Sequence, residues 1–383
     1  MKILKSGYTT GSCVSACVKA ALISLIENQE IETAEIEALN GEILEIPIKK
    51  IRKRKKFCTA VVEKYSGDDP DVTNGIDICV KVKIVKNFPE IERGYYFNNI
   101  LVYGGRGVGI STKKGLQCSV GKSAVNPGPL KMIENSVKEI AENIKDRDIK
   151  FEIIIYIPQG REKAKKTFNE KLGIVGGLSI LGSTGILNPM SEEALKQSLF
   201  TELKVLKENK GSDWAVFAFG NHGKKYCEKM GLDTERVILM SNYVGFMFEC
   251  AAELGFKRII LVGHIGKAVK LAGGIYNTHS RTADCRMEIF GANAFLAGEK
   301  SENIFKILNS NTVEEACEYV TEKKVYDMIA EKAAKKCMEY TRCEDLRCEV
   351  LLFSFGGEEL GHSKGFYKLV EEVKKEEVKH EKD

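Results

Sequence analysis

Between His264 and Arg286 the chain crowds side chains that can do chemistry: His264, Lys267, Lys270, Asn277, Thr278, His279, Ser280, Arg281, Asp284 and Arg286 all fall in one stretch. Imidazoles can move a proton near neutrality. The Lys and Arg side chains suit a substrate with several carboxylates or phosphates, because the guanidinium fork grips such oxyanions bidentately. A metal reading is weaker, since the two histidines stand fifteen positions apart with no clear third ligand. His279, in the richest polar run, is the first candidate for a base, followed by His264. Asp68 and Asp69, beside Asp71 in SGDDPDVTNG, add carboxylates for base work or a divalent cation. The plainer reading of that segment is a hairpin turn closed by Asn74-Gly75.

Glycines supply the second kind of site. Leu172–Leu195 carries five of them, Gly173, Gly176, Gly177, Gly182 and Gly185, among apolar residues and the hydroxyls of Ser183 and Thr184. Without a Cβ, such backbone can approach a ligand closely; it can equally serve a tightly packed crossover. Another cluster, GGRGVG, follows a short apolar strand and brings Arg106 with Lys113 downstream. It fits neither the dinucleotide fingerprint nor the phosphate loop of nucleotide hydrolases. Near the start, Thr9 and Thr10 stand at a helix entrance, where free amides and hydroxyls could bind a carboxylate or simply cap the helix.

These residues need elements to hold them. From Ile31 to Lys86 the pattern alternates with β-branched residues and predicts antiparallel strands. A helix at Pro129 and a buried strand over DIKFEIIIYIP complete a first, α+β domain, residues 1–185. Beyond it, helices alternate with short apolar strands, which predicts an α/β Rossmann-like domain with a mainly parallel sheet, residues 186–383. Three of its strands end at Gly220-Asn221, Ser241-Asn242 and Gly263-His264. Ligands of open parallel sheets sit beyond the carboxyl ends of strands, so these ends are expected to line a site.

Totals exclude several classes. At 383 residues the chain is long enough for two cores, and its 43% hydrophobic and 29% charged residues suit a soluble globular protein. No apolar run reaches membrane-spanning length, and the start lacks a continuous apolar leader, so cytoplasm is expected. A net charge of +4, spread along the chain, gives no reason to invoke nucleic acid. The 12 cysteines show no CxxC and read as free thiols in a reducing compartment.

Taken in order, GYTTGSC, GDDPDVTNG, GGRGVGISTKKGL, AVNPGPLKMI, LGIVGGLSILGSTGILNPMSEEAL, SNYVG and GHIGKAVKLAGGIYNTHSRTADCR resemble the cobalt-precorrin-5B C1-methyltransferase family across essentially the whole chain. The resemblance implies methyl transfer from S-adenosylmethionine to C1 of a cobalt corrinoid in the oxygen-independent route to cobalamin. Cobalt would arrive in the substrate, so no protein metal site is expected. Acetate and propionate groups of the macrocycle suit Thr9, Thr10, Arg106, Lys113, Lys267, Lys270, Asn277, Thr278, Ser280 and Arg281. For the methyl donor the expected positions are Gly176, Gly177, Gly182, Ser183, Thr184, Gly185, Gly220, Asn221, Ser241 and Asn242. Homo-oligomer formation stays open. From the residues alone, a nucleotide-dependent phosphoryl-transfer enzyme and a non-catalytic corrinoid carrier stand as alternatives.

Overall fold

The computed structural model describes residues 4–142, 144 and 148–380, and the chain divides into two compact units, Met1–Glu192 and Glu193–Asp383. After a two-residue strand at Gly7–Tyr8, the first unit forms helix α1 (Thr10–Ile26), followed by a hairpin of β1 (Thr33–Glu37) and β2 (Ile43–Pro47). Next come β3 (Lys50–Arg54), β4 (Phe57–Glu63), β5 (Asp77–Val85), β6 (Tyr95–Phe97), β7 (Ile100–Gly104), helix α2 (Pro127–Ala141) and β8 (Lys150–Tyr156). Six strands form one sheet in the order β3-β4-β5-β8-β7-β6. Alternation drives it: Cys58, Ala60 and Val62 on β4 and Ile78, Val80 and Val82 on β5 all turn into one core.

The strands of Ile31–Lys86 pair antiparallel, as their pattern predicts. Beyond them β7 and β8 pair in parallel, Phe151 opposite Ile100 through Ile155 opposite Gly104. Parallel neighbours require a crossover, and the chain between them supplies one through α2. That helix starts at Pro127 rather than Pro129, with proline at a first-turn position where its missing N–H costs nothing. Helix α1 is also buried around most of its circumference. Its small residues permit this: Ser15 lies against α2, its hydroxyl donating to the Met132 carbonyl at 2.9 Å.

The second unit starts with α3 (Glu192–Lys210), then alternates β9 (Trp214–Ala218), α4 (Gly220–Lys229), β10 (Val237–Leu239), α5 (Val244–Glu253), β11 (Arg258–His264) and α6 (Ile265–Ala272). Four helices follow, α7 (Arg286–Leu296), α8 (Ser301–Leu308), α9 (Val313–Glu318) and α10 (Lys324–Thr341), before β12 (Arg347–Phe353), β13 (Glu359–His362) and α11 (Phe366–His380). The sheet order is β10-β9-β11-β12-β13, parallel except for the last pair. Period-two burial puts helices on both faces. Ala215, Phe217, Ile259, Leu261 and Val350 pack with residues of α3, α5, α6 and α10, while Val216, Ile260, Val262 and Leu351 pack with residues of α4 and α11.

Candidate functional site

Strand order reverses between β9 and β11: the chain leaves β9 for β10 on one side and returns to β11 on the other. Such a reversal splays the connecting loops and opens a crevice at the carboxyl ends of the strands. Four loops meet that edge. Gly220, with φ +58, carries the chain from β9 into α4 through a left-handed turn that a Cβ would strain, and leaves Gly220, Asn221 and His222 exposed. After β10, Ser241 holds φ +56 without being glycine. His264 ends β11, and Phe355 follows β12 with its side chain 68% exposed. The three rings gather: the Phe355 centroid lies 5.4 Å from that of His222 and 5.8 Å from that of His264.

His264 also caps α6, its Nδ1 accepting the Gly266 amide at 3.2 Å. The proton of the neutral ring therefore sits on Nε2, which lies 2.9 Å from Glu314 Oε1 on α9. Burial holds this imidazole below its ordinary pKa, with Glu314 pulling the other way. Next along α6, Lys267 donates to Asn242 Oδ1 at 2.9 Å, and burial lowers its ammonium too.

The polar loop after α6 is less available than its composition suggests. Lys270 is 2% exposed, and its ammonium donates to the carbonyls of Thr278 (3.1 Å) and Ala283 (2.7 Å). Thr278, also buried, donates its hydroxyl to Asn242 Oδ1 at 3.1 Å and its amide to the Asn242 carbonyl at 3.0 Å. Asn242, Lys270 and Thr278 thus fasten the loop. Asn277 Oδ1 accepts the His279 amide and His279 Nδ1 accepts the Arg281 amide, each at 3.1 Å, so this exposed histidine closes a local turn. Ser280 and Arg281 remain exposed. Replacing Lys270 by Met should leave two buried carbonyls without their donor; we expect a loss of about 1–3 kcal/mol in stability, measured by urea unfolding.

In the first unit, the aspartates serve the backbone. Asp68 Oδ2 accepts the Lys5 amide, Asp69 Oδ2 the Met190 amide, both at 2.9 Å, and Asp71 binds Lys64 and Thr73. Among the described residues, no group of three or more His, Cys, Asp or Glu is placed to hold a metal ion. The glycine stretch divides. A Cβ on Gly177 would stand 2.2 Å from the Gly107 carbonyl oxygen, so Gly177 serves close packing of two short strands, whereas Gly176 is exposed with open space around it. Gly182 and Gly185 close on Thr9 and Ser12 at the entrance of α1, where Thr10 Oγ1 accepts the Leu181 amide at 2.8 Å. That entrance is sealed by its own chain. Ser183, Thr184 and Arg106 are exposed; Lys113, half-buried, lies over Gly173.

Sequence reasoning missed His222, Glu314 and Phe355. The first stands four residues past the end of β9, in GNHG, and was within reach of the strand-end rule; Phe355 likewise follows β12 by two residues. Glu314 had no local sign beyond its place in a helix first turn.

The molecule is thus a mixed α/β protein that gathers histidines, a carboxylate, a lysine and an exposed aromatic ring at the carboxyl edge of a parallel sheet. Residues 1–189 match the family model described as CbiD, and residues 277–364 the model described as CbiD, C-terminal domain. The chain belongs to the CbiD family. A protein of Fusobacterium nucleatum is 54% identical over 97% of this chain and 98% of its own length. One of Methanocaldococcus jannaschii is 43% identical over 93% of this chain and 96% of its own. Both are named cobalt-precorrin-5B C(1)-methyltransferase. The crystal structure of a cobalamin biosynthesis protein from Archaeoglobus fulgidus is 25% identical, covering 73% of this chain and 83% of that one, with a TM-score of 0.38.

Proposed function

We propose that this protein methylates C1 of cobalt-precorrin-5B, with S-adenosylmethionine as donor, in oxygen-independent cobalamin synthesis. Identity of 54% across nearly the full length of a protein of that name carries the reading. No helix of the described residues is long and apolar enough to cross a membrane.

The Rossmann-like carboxyl edge of the second unit suits the donor. Phe355 and His222 offer flat faces for a purine, and Gly220 and Asn221 expose backbone at the start of α4. When bound, the donor supplies an electrophilic methyl group on a sulfonium. The protein's task is alignment, which holding the reactants in line can accomplish without an acid or metal at the reacting carbon. Arg281, exposed in the second unit, is the cation we assign to substrate carboxylates.

S-adenosylhomocysteine tests the placement. At a hundredfold excess over its Kd it should stabilise the protein by about 2.7 kcal/mol, read as a raised melting temperature. Phe355→Ala should weaken its binding by about 1–3 kcal/mol, the usual worth of a stacked base. A shift with ATP and magnesium but none with S-adenosylhomocysteine would favour phosphoryl transfer instead. Failure of labelled S-adenosylmethionine to mark a competent corrinoid would sink the reading altogether.

A further inference from the structure

His264 Nε2 and Glu314 Oε1 are buried, lie 2.9 Å apart, and neither makes an aligned hydrogen bond. Buried polar atoms without aligned partners are rare, and each needs a reason. The place of this pair suggests one, because it sits where β11 ends at the strand reversal, beside the His222 and Phe355 rings.

We propose that Glu314 is the proton acceptor of the methylation and that His264 is its positioning residue. The inference rests on the function proposed above. When the macrocycle gains a methyl cation equivalent at C1, it must lose a proton to restore its charge. A C–H bond of the ring breaks and its electron pair moves through the conjugated system to C1. The C1–methyl bond forms, the methyl–sulfur pair stays on sulfur as a neutral thioether, and the proton goes to the Glu314 carboxylate.

The ring and the carboxylate divide this work according to what each has free. Nδ1 of His264 is taken by the Gly266 amide, and Nε2 carries the proton and is covered, so the ring has no lone pair for a substrate. The Glu314 side chain is 39% exposed with Oε1 turned toward the imidazole, which leaves the rest of the carboxylate to face outward. The charged and titratable groups around the pair are His222 of α4, Lys267 of α6, Arg286 of α7 and Cys317 on the helix of Glu314 itself. Arg286 is attracted electrostatically to Glu314. The other carboxylates and histidine considered from the sequence are engaged elsewhere: Asp68 and Asp69 clamp backbone amides, and His279 closes its own turn.

The test is Glu314→Gln in the full-length protein, with cobalt-precorrin-5B in deuterated water. We expect the wild type to exchange an acidic ring hydrogen without any methyl donor, seen as a mass gain in recovered corrinoid. E314Q should lose that exchange and about 10²–10⁴-fold in kcat, while S-adenosylhomocysteine binds within twofold of wild type. His264→Gln should lose less rate but displace the acid limb of the kcat profile, which a merely structural change would leave in place. If E314Q does not fold, Glu314→Asp with the His264→Gln profile carries the test. Exchange and kcat within threefold of wild type in E314Q, or in E314D an unshifted profile with H264Q unchanged, would overturn the proposal. Absence of methylation by the wild type would instead count against the function itself, and the two failures are therefore distinguishable.

Discussion

Gly177→Ala should unfold the first unit far more readily than Gly176→Ala, although the two glycines are neighbours. At Gly177 the added methyl would stand 2.2 Å from the Gly107 carbonyl oxygen and 2.4 Å from its carbon. Gly107 cannot retreat, because a Cβ at Gly160 would in turn lie 2.1 Å from the same carbonyl oxygen: three backbones are stacked in contact. Separating them would break the parallel bridge between Gly107–Val108 and Gly177–Leu178, so the cost should reach about 3 kcal/mol, the upper part of the range for overpacking. In a unit of this size that lowers the melting temperature by roughly 6–12 °C. Gly176 has open space and φ +87, so alanine there meets only the left-handed penalty of about 1–2 kcal/mol. Equal losses in the two variants, measured by thermal unfolding, would show that the glycines are present for something other than packing.

The same contrast shows what the sequence could tell. Glycine content marked the stretch as special, but whether a missing Cβ admits a ligand or another strand is decided by what lies opposite, here Gly107, seventy positions away in the chain. Strand-helix alternation in the second half was readable because each element is short, periodic and local, and the strand ends at Gly220, Ser241 and His264 followed directly. The crossover that makes β7 and β8 parallel was not, since direction is a property of the connection rather than of either strand. Polar richness between His264 and Arg286 suggested availability, whereas the loop spends Lys270, Thr278 and the Nδ1 of His279 on holding itself in place. Glu314 reaches His264 from fifty positions downstream, and no spacing rule announces such a partner.

Removing the Lys64 ammonium should destabilise the first unit strongly, although lysine is an ordinary surface residue. Lys64 is 2% exposed at the exit of β4, where its amide and carbonyl join Ile76 and Gly75 across the aspartate turn. Its Nζ donates to Asp71 Oδ2 at 2.6 Å and to Ser66 Oγ at 2.7 Å, and Tyr8 pairs with the Tyr65 carbonyl one residue on. The pair therefore fixes the chain that leads into Thr9 and α1. Burial pushes the Asp71 carboxyl upward, but the adjoining ammonium and the Thr73 donors more than offset it and hold it below its ordinary value. A depressed carboxyl contributes stability that is present above the unfolded value near pH 4 and lost as pH falls through the lower folded one. Lys64→Met strands that carboxylate and should cost about 3–5 kcal/mol at neutral pH, as for other buried pairs broken from one side. Asp71→Asn added to it should restore part of the loss, since no charge is then left unpaired, and the double variant should lose less stability than wild type as pH falls below 4. Urea unfolding of the wild type, both single variants and the double variant at pH 7 and pH 3.5 measures the coupling. A Lys64→Met loss below 1 kcal/mol, or strictly additive losses, would mean that the turn is held by the Thr73 and backbone bonds alone.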